Sequence, residues 1–217
     1  MSEPVKPNRR YDTTRRQQQA RENRGRILAA GRELFLAKGY AEAAMPEIAQ
    51  AAGVSVQTVY KAFANKATLL KAVFDVSVAG DDEPTPMAER DVIGNIRATP
   101  DAAAKITLYA AHLAEGAPRH APLQLLARDA AGADRMAAAV WAQMRAEVLT
   151  AMTHFAADLL ATGQVRPGLA ADDVRDVLWT YHAPELYELL VLERGWSADR
   201  YGRFLTEAMT NAVLGAR

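Results

Sequence analysis

The chain has 217 residues, half of them hydrophobic, with 26 Lys/Arg balanced by 26 Asp/Glu and no cysteine. That much apolar material can build a sizeable core and argues against wholesale disorder. The lack of cysteine excludes a disulfide scaffold, a thiol nucleophile and a Cys-based zinc site. No run approaches the roughly 18 consecutive apolar residues of a membrane span, and the N-terminus is polar and Arg-rich, so a soluble, cytoplasmic protein is expected.

The neutral total conceals an asymmetry. Residues 1–79 hold 13 Lys/Arg against 7 Asp/Glu, whereas residues 80–217 hold 13 against 19. Lys6 and seven arginines fall within the first 26 residues. A basic head on an acidic body points to a polyanionic partner for the head alone.

In chain order, residues 1–20 read as a flexible basic arm, with Pro4, Pro7 and a Gln17-Gln18-Gln19 run but no apolar periodicity. Ile27, Ala30, Gly31, Leu34 and Phe35 then repeat at three and four, the pattern of an amphipathic helix that Gly39 stops. A short helix follows, with Pro46 in its first turn, Ile48, Ala49 and Ala52 facing inward, and Gly53 at its end. Ser55 is a suitable N-cap for a third helix from Val56 to about Phe63, and Asn65 for a fourth from Lys66 to about Val78. The acidic, proline-bearing stretch Gly80 to Met87 marks a boundary, giving a head over 21–79 and a body over 80–217.

The body reads as helical throughout. Thr99-Pro100 starts a helix that Gly116-Ala117-Pro118 ends, and a shorter one runs from Ala121 to about Ala131. Asp134 to Ala161 is the longest segment, and three more follow at Asp172 to His182, Pro184 to about Arg194 and Ser197 to Leu214. Strand-like alternation and repeats are both absent, so the fold class is all-α.

Ala49, Gly53 and Val59 have the spacing of a helix-turn-helix. A small residue lets the helices cross, a glycine turns the chain left-handed, and a valine packs the second helix back onto the first. With Ser55 as cap, Val56 and Gln57 stand in the first turn of the second helix, where base edges are reached in a major groove. Thr58, Tyr60, Lys61 and Lys66 offer hydroxyl and ammonium groups to phosphates.

At this point the segment from Arg26 to Leu70 resembles the N-terminal domain of the TetR family of transcriptional repressors. The likeness rests on Leu34-Phe35, Gly39-Tyr40, Ile48-Ala49, Ala52-Gly53-Val54-Ser55, Thr58, Tyr60, Phe63 and Lys66. It implies a two-fold homodimer that binds a double-stranded DNA operator, with a helical body that holds a small-molecule effector and forms the dimer. Two departures stand out: Ala43-Ala44 occupy the place of a capping Thr or Ser, and Ala62 that of a polar residue before Phe63.

Within the implied pocket, the candidates are Tyr109, His112, Trp141, Met144, Arg145, Phe155, Trp179 and His182, which would suit a hydrophobic effector with polar or anionic handles. The dimer is expected on two stripes, one of Val174, Val177, Leu178 and Tyr181, the other of Phe204, Leu205, Ala208, Met209, Ala212 and Val213. No catalytic residue, metal ligand or cofactor is expected: the four histidines have no ligand spacing, and neither a phosphate loop nor a nucleophile elbow occurs. A regulator or architectural DNA-binding protein without a ligand remains the alternative, ahead of an enzyme.

Overall fold

The computed structural model describes residues 9–83 and 85–215, with side chains from residue 15 onward. Among the described residues there are helices and turns but no strand. The chain divides into two compact units, Met1–Val73 and Phe74–Arg217, and the division falls inside the fourth helix, short of the acidic stretch at residue 80.

In the first unit, α1 (Arg9–Glu42) is broken at Gly39, where φ is 79° and ψ 170°. The expected arm therefore needs correction: residues 1–8 lie outside the described residues, and residues 9–20 are the first turns of α1. Polar side chains support this extension without an apolar stripe. Gln18 Nε2 donates to Glu22 at 2.9 Å and Gln19 Nε2 to Asn23 at 3.1 Å, pairs at i,i+4 that stabilise an exposed helix.

The short α2 (Met45–Ala51) begins at Ala44 with no side-chain cap, leaving its first N–H groups without a capping oxygen. Its C-terminus is fully organised. Gly53 N donates to Gln50 O and Val54 N to Ala49 O, the paired bonds of a Schellman turn, with Gly53 at φ 63°. A residue with a Cβ resists that φ by about 1–2 kcal/mol. Then α3 (Val56–Ala62) starts at Ser55, whose Oγ accepts from Thr58 N at 3.1 Å. Asn65 and Thr68 cap α4 (Lys66–Ala79) reciprocally: Asn65 Oδ1 accepts from Thr68 N, and Thr68 Oγ1 accepts from Asn65 N. Ile27, Phe35, Ile48, Val59, Leu69 and Leu70 are fully buried and form the head's core.

In the second unit, α5 (Asp91–Ala98) is an element that the sequence reading did not assign. Its C-terminal carbonyls are held by buried Lys105, whose Nζ donates to Ile96 O (3.0 Å), Arg97 O (2.7 Å) and Asp158 Oδ2 (2.7 Å). All three ammonium donors are thereby used, as burial of a charge requires.

The two helices expected over 99–131 are one, α6 (Ala102–Ala130), which runs on through Gly116, Pro118 and Pro122. Asp101, not Thr99, caps it by accepting from Ala104 N at 2.8 Å. Each internal proline removes a backbone donor. The helix persists because Ala117, His120, Ala121, Leu123 and Gln124 are all buried around these prolines, and packing overrides local propensity.

The long α7 (Arg135–Ala161), capped by Asp134, matches its expected bounds. It is followed by α8 (Ala171–Tyr181), α9 (Pro184–Tyr187) continued by a π-helical turn over Glu188–Glu193, and α10 (Ala198–Val213), capped by Ser197. Against α6, α10 packs closely: a Cβ added at Gly202 would lie 3.2 Å from Ala114 Cβ.

The expected dimer stripes are also corrected. Val174, Leu178, Leu205, Met209 and Val213 are fully buried in the body's own core, with Ile106, Tyr109, Phe155 and Leu159. Amphipathic spacing marks which face is covered, but not whether a neighbouring helix or a second chain covers it. Val177, Tyr181, Phe204, Ala208 and Ala212 stay half-exposed, and Phe204 meets both Tyr181 (6.4 Å) and Trp196 (5.8 Å) edge to face.

The uncapped start of α2 gives a direct test. Ala44 is exposed and already has the extended backbone of a cap residue (φ −95°, ψ 138°). Ala44→Ser should therefore stabilise the head by about 1 kcal/mol, read as a higher midpoint in thermal unfolding of the DNA-free protein. An unchanged or lower midpoint would refute this account of the α2 terminus.

Candidate nucleic-acid interface and body cavity

The Schellman turn at Gly53 and the Ser55 cap fix the direction in which α3 leaves α2. Burying Val59 and Phe63 then turns the opposite face outward. Val56, Gln57, Tyr60 and Lys61 are all exposed on that face, with Val56 at 38 % and Tyr60 at 49 %. Positions i, i+1, i+4 and i+5 form a continuous strip along a helix. The strip carries an amide, a phenol, an ammonium and an apolar tip, the groups that contact base edges, thymine methyls and phosphates.

Two other expected contacts are differently disposed. Thr58 is half-buried, and its hydroxyl lies 2.8 Å from Ser55 Oγ, within the cap. Lys66 Nζ donates to Ala41 O at 3.0 Å and lies 4.5 Å from the centre of the Tyr40 ring. Lys66 thus ties α4 to the connection after Gly39, because a carbonyl and an aromatic face satisfy its charge locally.

The sequence reading missed Arg26 as an individual site residue. Its Nη2 donates to Asn23 Oδ1 at 2.6 Å, and its Nη1 would lie 3.5 Å from a Cβ at Gly53, so the guanidinium stands beside the turn. Nothing in local spacing marks it, because its proximity to Gly53 arises only when α1 packs on α2. Arg24, by contrast, covers the Phe63 ring at 4.9 Å.

In the body, Trp141, Arg145, Trp179 and His182 come together around one cavity of about 380 Å³. Gln124, Arg128, Val148, Thr180, Ala183, Pro184 and Glu185 complete its walls, and none of these was among the candidates. The other four candidates lie elsewhere. Tyr109 and Phe155 pack in the core with their rings tilted and their centres 4.8 Å apart, with the Tyr109 hydroxyl 3.5 Å from Met152 Sδ; Met144 is fully buried; and His112 lines a separate recess with Arg119 and Arg90. Even helical spacing cannot separate a residue lining a void from one filling it, since both face inward.

Charge in the cavity wall is unevenly compensated. Arg128 forms a fork to Glu188 (2.8 and 3.1 Å), touches Asp129 at 2.9 Å and reaches Glu185 at 3.5 Å. The Glu188 hydrogen bond raises the Arg128 pKa above its ordinary value, and the Arg128 bond lowers that of Glu188. Glu185 and Glu188 thereby hold the end of α6 to α9 and the segment after it.

His182 lies parallel to His120 at 6.4 Å, His120 Nδ1 is 3.4 Å from Gln124 Oε1, and Phe74 meets the His120 ring edge-on at 6.4 Å. Loss of hydration on burial lowers the His120 pKa to about 4 and that of His182 to about 3, with His120 as the second cause at His182. Both rings are therefore neutral at pH 7. Among the described residues, no three His, Asp or Glu side chains gather into a group that could hold a metal ion.

Residues 27–73 match the family model described as bacterial regulatory proteins, tetR family. The match covers the head alone, which is similar to the N-terminal DNA-binding domain of that family. No curated protein matches the chain. Solved structures resemble it over nearly its whole length. A TetR-family structure from Rhodococcus sp. is 18% identical with a TM-score of 0.69, covering 89% of this chain and 98% of the other. The transcriptional regulator FadR from Bacillus subtilis, solved with stearoyl-CoA, is 19% identical with a TM-score of 0.68, covering 88% and 98%. A protein from Saccharomonospora viridis, solved with choline, is 17% identical with a TM-score of 0.64, covering 89% and 98%. At these identities the structures establish a shared TetR-type fold.

These two imidazoles, His120 buried and His182 half-buried, give the body a defined acid response. Their pKa values are below the unfolded value of about 6.5, so below that pH the unfolded chain takes up protons that the folded body refuses. Stability should therefore be present in full above pH 6.5 and fall as pH drops from there through about 4 and towards 3. Urea unfolding at pH 7 and pH 5 measures the loss, and the double variant His120→Gln/His182→Asn should show a smaller difference than the parent. An equal difference in the variant would count against the assignment.

Proposed function

We propose that the chain is a ligand-responsive transcriptional repressor that binds a palindromic DNA operator as a homodimer and is released by a small hydrophobic effector held in the body. The observation that carries this reading is the outward strip of α3, where Val56, Gln57, Tyr60 and Lys61 are exposed while Val59 anchors the helix from behind. Gln57 reads a base edge, Val56 packs on a thymine methyl, and Tyr60 and Lys61 hold phosphates, with Arg26 added beside the turn.

A single seven-residue helix reads too little sequence for specificity, so two heads about 34–36 Å apart would be needed to read two half-sites. The half-exposed strip of Val177, Tyr181, Phe204, Ala208 and Ala212 on α8 and α10 supports the pairing of bodies. Its small alanines would let two copies approach closely.

The cavity of about 380 Å³ lies at the small end of the range for ligand sites, which favours an effector-responsive protein over a ligand-free DNA binder. It also supports an effector far smaller than the stearoyl-CoA of the Bacillus subtilis structure. From the cavity, His182 stacks on His120 and His120 meets Phe74, a residue of α4. Since α4 also contains head residues, an effector that shifts His182 acts on a helix belonging to both units. By linkage, DNA must weaken effector binding by the same factor by which the effector weakens DNA binding.

Selection of bound sequences from a random duplex pool tests the DNA reading. A palindrome should be enriched, and a pool that stays random would overturn the proposal. On the selected site, Gln57→Ala should cost about 1–3 kcal/mol and relax preference at one base position, while Lys61→Ala should lower the salt dependence of binding by about one unit of slope.

A further inference from the structure

Arg145 differs from the other charged groups of the body cavity. Its guanidinium carbon lies 4.8 Å from the Trp179 ring centre and 5.8 Å from that of Trp141, so two indoles flank it. Among the described residues it has no ion-pair partner within 4 Å. Arg128 is in the opposite situation, since Glu188, Asp129 and Glu185 already surround it. Glu185 is in turn drawn to Arg128, which leaves Arg145 as the lining's uncompensated charge.

Stacking on aromatic faces desolvates the flat sides of a guanidinium but leaves its edge donors free. Such an edge matches the two oxygens of a carboxylate, in a bidentate pair that is stronger than neutral hydrogen bonds. Beside it, Trp141, Trp179, Val148 and Pro184 provide an apolar wall for the rest of a ligand, and Gln124, Thr180 and His182 provide neutral polar groups. A cation is disfavoured, because the indole faces that would receive it already carry the Arg145 guanidinium and Arg128 lines the same space. At about 380 Å³ the space suits one or two fused rings rather than a long chain.

We propose that the body cavity takes a compact aromatic carboxylate, its anionic group paired with Arg145 and its ring set against Trp179 and Trp141. This names the effector class for the regulatory reading above and rests on that reading. Arg145 would be the specificity-determining residue, choosing acids over neutral or cationic molecules of the same shape.

Calorimetric titration of the full-length protein tests this with three matched probes: 1-naphthoate, 1-naphthalenemethanol and a naphthyl-trimethylammonium. The carboxylate should bind about tenfold or more tightly than either other probe, and Arg145→Gln should remove that advantage while leaving the affinity for the alcohol unchanged. Arg145→Lys, which keeps the charge but loses the planar fork, should restore only part of it. Because Arg145 is exposed, the variants should retain the parent's circular dichroism and melting midpoint, which establishes that a lost advantage is not unfolding.

Equal affinity for acid and alcohol, preference for the cation, binding of none of the three, or an acid preference that survives Arg145→Gln would each overturn the proposal. Operator release is read separately, by adding each probe to the protein–DNA complex. Acid binding without release would leave the ligand class standing and remove the regulatory reading. Release by neutral compounds alone would do the reverse.

Discussion

The body depends on α6 remaining one helix. Its 29 residues include two prolines four positions apart, and α5, α7, α9 and α10 all pack against it. In isolation this segment would break, since each proline costs a helix interior about 3 kcal/mol relative to alanine. Burial on several sides holds it together, with Ile106, Ala110, Ala117, Ala121, Leu123 and Ala127 all nearly inaccessible. Had the chain broken at Gly116, Gln124 and Arg128, which line the cavity, would no longer be continuous with the half of the helix that carries Ile106 and Ala110 into the core. The same helix therefore organises the core and the site.

Charge placement around that helix separates structure from recognition. Lys105 and Arg128, at opposite ends of α6, are both fully engaged: one closes the α5 terminus through Asp158 and two carbonyls, the other anchors the segment after α9 through Glu188. Arg145 has no such task. A cation held on aromatic faces without a carboxylate is ready to accept one from a ligand, whereas a cation already in a fork is not.

The head uses local backbone chemistry instead. Its outward strip is positioned by a glycine turn and side-chain caps at Ser55 and Asn65, each acting within a few residues of its own position. Such motifs are legible in sequence because cause and effect are neighbours in the chain. Val56, Gln57, Tyr60 and Lys61 could be named from the cap register alone. The engagement of Lys66 could not, because its partners Tyr40 and Ala41 lie some 25 residues away, and Arg26 was missed for the same reason.

By itself, the sequence determined the all-α class, the helix-turn-helix and its outward face, and the bounds of α7, α8 and α10. Each of these follows from helical periodicity, caps and a glycine, which act over one or two turns. Only the tertiary structure decided that α6 runs through its prolines, that Val174, Leu178, Leu205, Met209 and Val213 form the body's own core, and that four of eight pocket candidates share a cavity. Those outcomes depend on which inward faces meet. Periodicity shows that a face is covered, while long-range packing alone selects the element that covers it.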